Sequence, residues 1–187
     1  MKLLTTLALF VGALGVATAR ADISGGASTP TSTRMRFVTT GDAHTCVILD
    51  DYSVRCFGLG SEGRLGSGAT ANIGDSALRS VASSAAIGLG SGRTARAIAA
   101  GSAHTCVLLD NGTVKCWGYN ADGQLGLGST DSRGDSAGEM GDSLLAVDFG
   151  TGRTVQQIAV GANHNCALLD NYTVKCWGRN HAGQLGY

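Results

Sequence analysis

The chain has 187 residues and carries 14 basic and 14 acidic side chains, so its formal charge is zero. Its eleven arginines and three lysines are scattered without a patch or run, which excludes a binder of the phosphate backbone. Glycine is abundant at 29 residues, aromatics make up 5% and charged residues 15%, the profile of short strands joined by glycine-rich turns rather than of long amphipathic helices.

From the N-terminus, Lys2 precedes an apolar run from Leu3 to Val16, and Ala-x-Ala sites end at Ala19 and Ala21. The run is shorter than the ~20 apolar residues a bilayer core requires and is followed by Arg20 and Asp22. Residues 1–21 therefore read as a secretory signal peptide rather than a membrane anchor, and a secreted or extracytoplasmic location is expected, with no membrane association after cleavage. Cleavage after Ala21 leaves 166 residues with a formal charge of −2. Residues 22–34 are Gly/Ser/Thr-rich, contain the only proline, Pro30, and read as a flexible linker.

Residues 35–187 are repetitive. Gly101–Gly126 and Gly161–Gly186 agree at 18 of 26 positions, and Gly41–Gly66 agrees with Gly101–Gly126 at 14. A sixty-residue period marks a supersecondary unit that buries its apolar surface only by stacking on copies of itself, here over approximately 35–92, 93–152 and 153–187.

Each unit holds a β-hairpin. His104–Leu109 is a strand, Asp110-Asn111-Gly112 a turn, and Thr113–Trp117 the return strand. With Gly112 in the left-handed position of a three-residue loop, Leu109 faces Thr113, Leu108 faces Val114 and Cys106 faces Cys116. The cysteines then occupy a non-hydrogen-bonded pair, where Cα atoms approach to about 4.5 Å and a cross-strand disulfide fits. Six cysteines allow fifteen connectivities; the register selects Cys46–Cys56, Cys106–Cys116 and Cys166–Cys176. Tyr52 and Tyr172 replace Gly112, and their Cβ atoms resist positive φ, so those two hairpins are expected to carry strain or to adopt another loop. Alternation places His104, Cys106, Leu108, Val114 and Cys116 on one face and Thr105, Val107, Leu109, Thr113, Lys115 and Trp117 on the other. Both faces are largely apolar, as in an inner strand of stacked sheets. Thr94–Ala100 and Thr154–Val160 read as further strands, and Ser80–Ile87 as a short helical turn.

The string G-x-x-H-T-C-x-L-L-D-x-x-x-V-x-C-W-G-x-N-x-x-G-Q-L-G resembles the repeat of the regulator of chromosome condensation family, from Met35 to Tyr187. The resemblance implies an all-β chain of about three β-propeller blades, blades that in the family are four-stranded and usually seven in number. It also marks His44, His104, His164, Trp117, Trp177, Gly123 and Gly183 as structural positions of the repeat. The first repeat departs from the pattern at Phe57, Gly60 and Arg64, in place of Trp, Asn and Gln. Closed propellers have about four to eight blades. The expected form is thus an open arc, a partial or truncated propeller completed by further repeats or by another chain.

Chemically active candidates are few. Each repeat places one imidazole and two sulfurs on one face, a set able to ligate zinc. No fourth ligand accompanies it and an oxidising compartment favours disulfides. The family pattern, in which this His often occurs without the cysteines, implies a buried structural histidine satisfied by backbone hydrogen bonds. Arg133-Gly134-Asp135 spells an integrin-recognised tripeptide in a Gly/Ser/Asp-rich loop expected to be exposed, although Gly74-Asp75 fills the equivalent place one repeat earlier and points to loop chemistry. Asp131, Asp135, Glu139 and Asp142 crowd the same loop without the spacing of a calcium loop. Asn111 and Asn171 begin glycosylation sequons at hairpin tips. No G-x-S-x-G elbow and no glycine-rich phosphate loop ending in Lys occurs, so neither catalysis nor a cofactor is expected.

Three functions fit this reading. One is a secreted binding or scaffolding module that recognises a protein or glycan through its blade loops. Another, implied by the family, is a guanine-nucleotide exchange factor for a small GTPase, which an exported, cysteine-paired chain opposes. The third is a secreted enzyme inhibitor, as in related propellers whose aromatic-rich loops bind β-lactamases; the loops here are rich in Gly and Ser instead.

Overall fold

The computed structural model describes residues 34–79 and 81–186. Residues 1–33, the segment read as a signal peptide and all but Arg34 of the segment read as a linker, lie outside the described residues. Nine strands are described: β1 Met35–Thr40, β2 His44–Leu49, β3 Val54–Gly58, β4 Ala95–Ala100, β5 His104–Leu109, β6 Val114–Gly118, β7 Val155–Val160, β8 His164–Leu169 and β9 Val174–Gly178. They form three separate antiparallel sheets, β1-β2-β3, β4-β5-β6 and β7-β8-β9, one per repeat, and the sheets do not close into a ring. The chain is an all-β array of three blades.

Each hairpin has the register that the turn dictates. Cys106 lies opposite Cys116 and Leu108 opposite Val114, and the other two hairpins repeat this pairing. The Leu109 N–H donates to the Thr113 carbonyl at 2.9 Å and the Gly112 N–H to the Leu109 carbonyl at 3.0 Å, closing the three-residue loop. Tyr52 and Tyr172 keep that same loop, with φ of 62° and 64° against 79° at Gly112. Of the two expected outcomes, these hairpins therefore carry the strain. What holds them in place is an acceptor at the tip: Oδ1 of Asp51, Asn111 and Asn171 receives the N–H and the hydroxyl of Ser53, Thr113 and Thr173.

The blades are three-stranded rather than four-stranded. A fourth strand shrinks to single bridges, Gly58 to Ile73 and Gly118 to Arg133. The reason lies in the connections, where Gly63, Gly66, Gly68 and Gly74 all have positive φ and repeatedly turn the chain out of an extended path. The segment after residue 80 forms a short 3-10 helix at Val81–Ser83.

The core lies between blades. Cys46, Ile48, Val54 and Cys56 on the forward face of the first blade pack with Val107, Leu109 and Trp117 on the rear face of the second. Cys106, Leu108, Val114 and Cys116 pack likewise with Ala167, Leu169 and Trp177. Both clusters include an extended piece of the connection, Ile87 and Leu89 in one and Val147 and Phe149 in the other. Stacking thus covers both faces of the middle hairpin, and β5 is buried along its whole length.

Candidate interaction site

The histidines hold the blades together. In the first interface, His44 Nε2 donates to Thr105 Oγ1 at 2.9 Å, and the Thr105 hydroxyl donates onward to the Arg64 carbonyl at 3.2 Å, which also receives Trp117 Nε1–H at 3.2 Å. In the second, His104 Nε2 donates to Asn165 Oδ1 at 2.8 Å, while Asn165 Nδ2 and Trp177 Nε1 both donate to the Gln124 carbonyl, at 2.7 and 3.0 Å. The same relay is thus built once with threonine and once with asparagine. Because the acceptors have their own protons committed onward, Nε2 carries the imidazole proton and each ring is the neutral tautomer. Nδ1 of His44 and of His104 has no partner. Burial lowers the His44 pKa to about 4, helped by the nearby Arg64 charge, and burial likewise lowers that of His104.

These histidines are therefore satisfied by side chains of the next repeat, not by backbone groups within their own. The leading glycine of each repeat makes room for the ring. A Cβ at Gly101 would lie 2.2 Å from His104 Cε1, and Gly41 and Gly161 are equally close to their histidines. Asn120, fully buried, receives the Leu125 N–H and donates to the Ser129 and Asp131 carbonyls, fixing the Gly-Gln-Leu-Gly turn in which Gly123 has φ of 73° and Gly183 of 75°.

The cysteines are joined as Cys46–Cys56, Cys106–Cys116 and Cys166–Cys176, each with Cα atoms 4.1 Å apart. Among the described residues, no three His, Cys, Asp or Glu side chains converge to hold a metal ion. With the sulfurs bonded to each other and Nε2 of His44 and His104 engaged in the relay, the His and Cys columns do not come together as a zinc site.

The Arg133-Gly134-Asp135 loop is not the exposed tripeptide that its sequence suggests. Gly134 is buried and its carbonyl receives the Gly68 N–H at 3.0 Å, while Arg133 is drawn to Glu139 at 3.3 Å. The Glu139 carboxylate accepts the Gly134 and Ser136 N–H groups at 2.9 and 3.1 Å. Burial raises the Glu139 pKa, but bonds from Asp135, Ser136, Gly134 and Arg133 outweigh it and hold Glu139 below its usual range; Asp135 is pushed up, first by burial and then by Glu139. The acids of this loop organise it internally. Asp142, the fourth of them, accepts the Ser91 N–H at 2.8 Å. Asn111 and Asn171 are exposed, each with Oδ1 engaged by its own threonine.

Between the connections of the first two blades lies an open cleft of about 650 Å³, lined among others by Ile73, Arg79, Ala86, Ile87, Ala137 and Met140. Its floor is apolar, and Arg79 at its rim is paired with Asp75 at 3.2 Å. Sequence reasoning missed this cleft, because its lining is drawn from connections that carry no periodic signal. It also missed Thr105 and Asn165 as relay members, since alternation alone marks them as ordinary strand positions.

The sequence matches the regulator of chromosome condensation (RCC1) repeat over residues 95–124 and 155–184, and a second form of that repeat over 111–168. The X-linked retinitis pigmentosa GTPase regulator of Mus musculus is 33% identical over 147 residues, which are 78% of this chain and 13% of that protein. The probable E3 ubiquitin-protein ligase HERC4 of Homo sapiens is 38% identical over 89 residues, 48% of this chain and 8% of that protein. The chain thus spans a small fraction of the length of these relatives. Among solved structures, human WBSCR16 superposes with a TM-score of 0.60 at 25% identity, covering 80% of this chain and 35% of that one. Yeast RCC1 (Prp20), in a complex with Kap60, gives 0.60 at 20% identity, covering 82% and 32%. With the repeat matched on the second and third blades and the same blades found in solved relatives, the chain belongs to the regulator of chromosome condensation repeat family.

Proposed function

We propose that the chain is an exported protein-binding module whose blades form a rigid scaffold and whose recognition surface is the cleft between the first two connections. The observation that carries this reading is the cleft itself. Ile73, Ile87 and Met140 give it an apolar floor, Arg79 gives it a charged rim, and methionine adapts to irregular partners. A protein ligand suits this lining better than a glycan, because the described residues lining the cleft include no aromatic ring on which a sugar would stack. Export is supported by the leader-like N-terminus and by three disulfides, which persist in oxidising compartments.

A second reading, regulation of a small GTPase, draws on the mouse relative, whose name describes it as a GTPase regulator. The two part company on location and on partner. N-terminal sequencing of the native protein should find a start at Asp22 or Arg20 outside the cytosol. Cross-linking through the cleft in the exported protein should capture a protein partner, and Met140→Glu with Arg79→Ala should abolish capture while leaving the thermal unfolding midpoint within a few degrees. An intact Met1 on cytosolic protein, or capture indifferent to both substitutions, rejects the proposal.

A further inference from the structure

The inner strands of the first two blades and the first hairpin tip enclose a pocket of about 580 Å³, lined among others by Arg36, Phe37, Tyr52, Thr94, Arg96 and Asp110. It shares no lining residue with the cleft between the connections. The two arginines come from matching places in the repeat. β1 shifts register against β2 between Met35 and Phe37, and β4 against β5 between Ala95 and Ala97, so Arg36 and Arg96 are the extra residues of two bulges. A bulge re-aims the side chain it carries, and here both guanidinium groups line one pocket. Arg36 lies over the Tyr52 ring, 4.5 Å from its centroid, with Asp50 at 4.0 Å. Arg96 has no ion pair among the described residues. The Asp110 carboxylate does not offset it, being engaged by Arg93 at 3.4 Å and by the Thr94 N–H at 3.1 Å.

Two aromatic rings stand beside these charges, Phe37 at 52% and Tyr52 at 42% exposed. Ala97 holds the place of Phe37 one repeat later and packs with the cluster between the second and third blades, so this strand position faces the following blade. The Phe37 ring is therefore exposed although the second blade stands in front of it. The second interface has the same backbone plan without this chemistry. Ala97, Gly112 and Gln156 replace Phe37, Tyr52 and Arg96 there, and a Cβ at Gly112 would lie 2.8 Å from Thr154 Cβ.

We infer that this pocket binds a uronic acid unit of an acidic polysaccharide. Arg96 and Arg36 receive the carboxylate, whose two oxygens match the forked donors of a guanidinium group. A C–H face of the pyranose rests on the Phe37 ring, whose face carries the negative end of its quadrupole. The volume falls in the range of small-ligand sites, roughly 300–1,000 Å³. An acidic peptide fits less well, because backbone groups at the pocket are already paired: the Tyr52 carbonyl receives the Ala95 N–H and the Thr94 carbonyl the Asp110 N–H, both at 3.0 Å. Recognition falls to the rings and the guanidinium groups, with no strand edge for a peptide to join.

Oligogalacturonate and its fully methyl-esterified form are titrated into the full chain by calorimetry. Saturable binding of the acid form is expected, with the ester weaker by at least about tenfold. Arg96→Gln or Phe37→Ala should weaken the acid form by at least about tenfold, and since both side chains are exposed the variants should keep the unfolding midpoint. Gln156→Ala, at the same place in the second interface, should leave binding unchanged. In the parent chain, where no substitution can disturb folding, bound oligogalacturonate should slow phenylglyoxal modification of Arg96 relative to Arg153. No saturable binding up to about 10 mM, equal binding of the ester, or binding indifferent to Arg96→Gln and Phe37→Ala overturns the inference. Oligoglutamate bound through Arg96 in place of the saccharide would assign the pocket to an acidic peptide and overturn it as well.

Discussion

Lowering the pH from 7 to 4 should destabilise the array in a window set by the relay histidines. His44 is buried and neutral, with its pKa depressed from 6.5 to about 4 by burial and by Arg64. A depressed histidine means that the unfolded chain binds the proton first. Stability is therefore complete above pH 6.5, declines as the pH falls from there, and levels off below about 4. A shift of this size, discounted for residual solvation, corresponds to about 2–3 kcal/mol from His44 alone. His104 is shifted in the same direction by burial and adds to the loss. The structure supplies the reason: Nδ1 has no acceptor to receive a proton bound there, and Nε2 is already committed to the neighbouring blade. The carboxylates held below their usual range, Glu139, Asp51 and Asp142, lose their contribution only at lower pH and so form a separate, later phase. Urea unfolding at pH 7, 6, 5 and 4.5 gives the slope directly. His44→Gln keeps an N–H donor for Thr105 but cannot titrate, so this variant should be less stable at pH 7 and flatter between pH 6.5 and 4. A stability that stays level from pH 7 to 4.5 in the parent chain would refute the neutral relay.

Asn165→Leu removes the acceptor of His104 Nε2–H and one donor to the Gln124 carbonyl, and should cost about 2–3 kcal/mol in denaturant unfolding; Asn165→Thr, which copies the first interface, should cost well under half of that. Tyr172→Gly should stabilise the chain by roughly 1 kcal/mol, because an exposed side chain gives up a left-handed backbone conformation; Tyr52→Gly should gain less, since Arg36 lies 4.5 Å above the Tyr52 ring. Under graded reductant, alkylation and mass mapping should find Cys166–Cys176 opening first, because it is only half-buried. Each opened ten-residue loop should lower stability by roughly 2–3 kcal/mol in the chain-entropy picture.

What the sequence made legible is what local geometry determines. A strand of alternating residues, a turn with a glycine at its left-handed position and a return strand leave Cys106 only one position opposite, and the two hairpin faces follow from the same alternation. The blade interfaces were not legible at that level. His104 meets Asn165, sixty-one positions away, and the sequence shows that contact only as a repeat of His followed by a small polar residue. Thr105 and Asn165 differ in kind, yet each accepts from a histidine and donates to a carbonyl, so the interface conserves hydrogen-bond roles rather than residue types. The connections were the least legible. Their fourth strand dwindles to single bridges, and the Arg-Gly-Asp loop is folded inward by a glutamate whose sequence position gives no sign of it.

The departures of the first repeat lie at and beside the relay positions. Trp117 and Trp177 each reach back to a carbonyl of the preceding blade, at Arg64 and at Gln124. Phe57 occupies that position in the first blade, where the ring is half-buried and carries no N–H to pair. Gly60, where the other repeats have asparagine, has its own cause: a Cβ at that position would lie 2.1 Å from the Ala71 carbonyl oxygen, and Asn72 instead supplies a side-chain oxygen, to the Gly60 N–H at 3.0 Å. Arg64 replaces glutamine while leaving its backbone carbonyl in the relay, and its guanidinium folds back to the Ser61 carbonyl at 2.9 Å. The first repeat thus keeps the histidine and the backbone carbonyl that meet the second blade through Thr105 and Trp117.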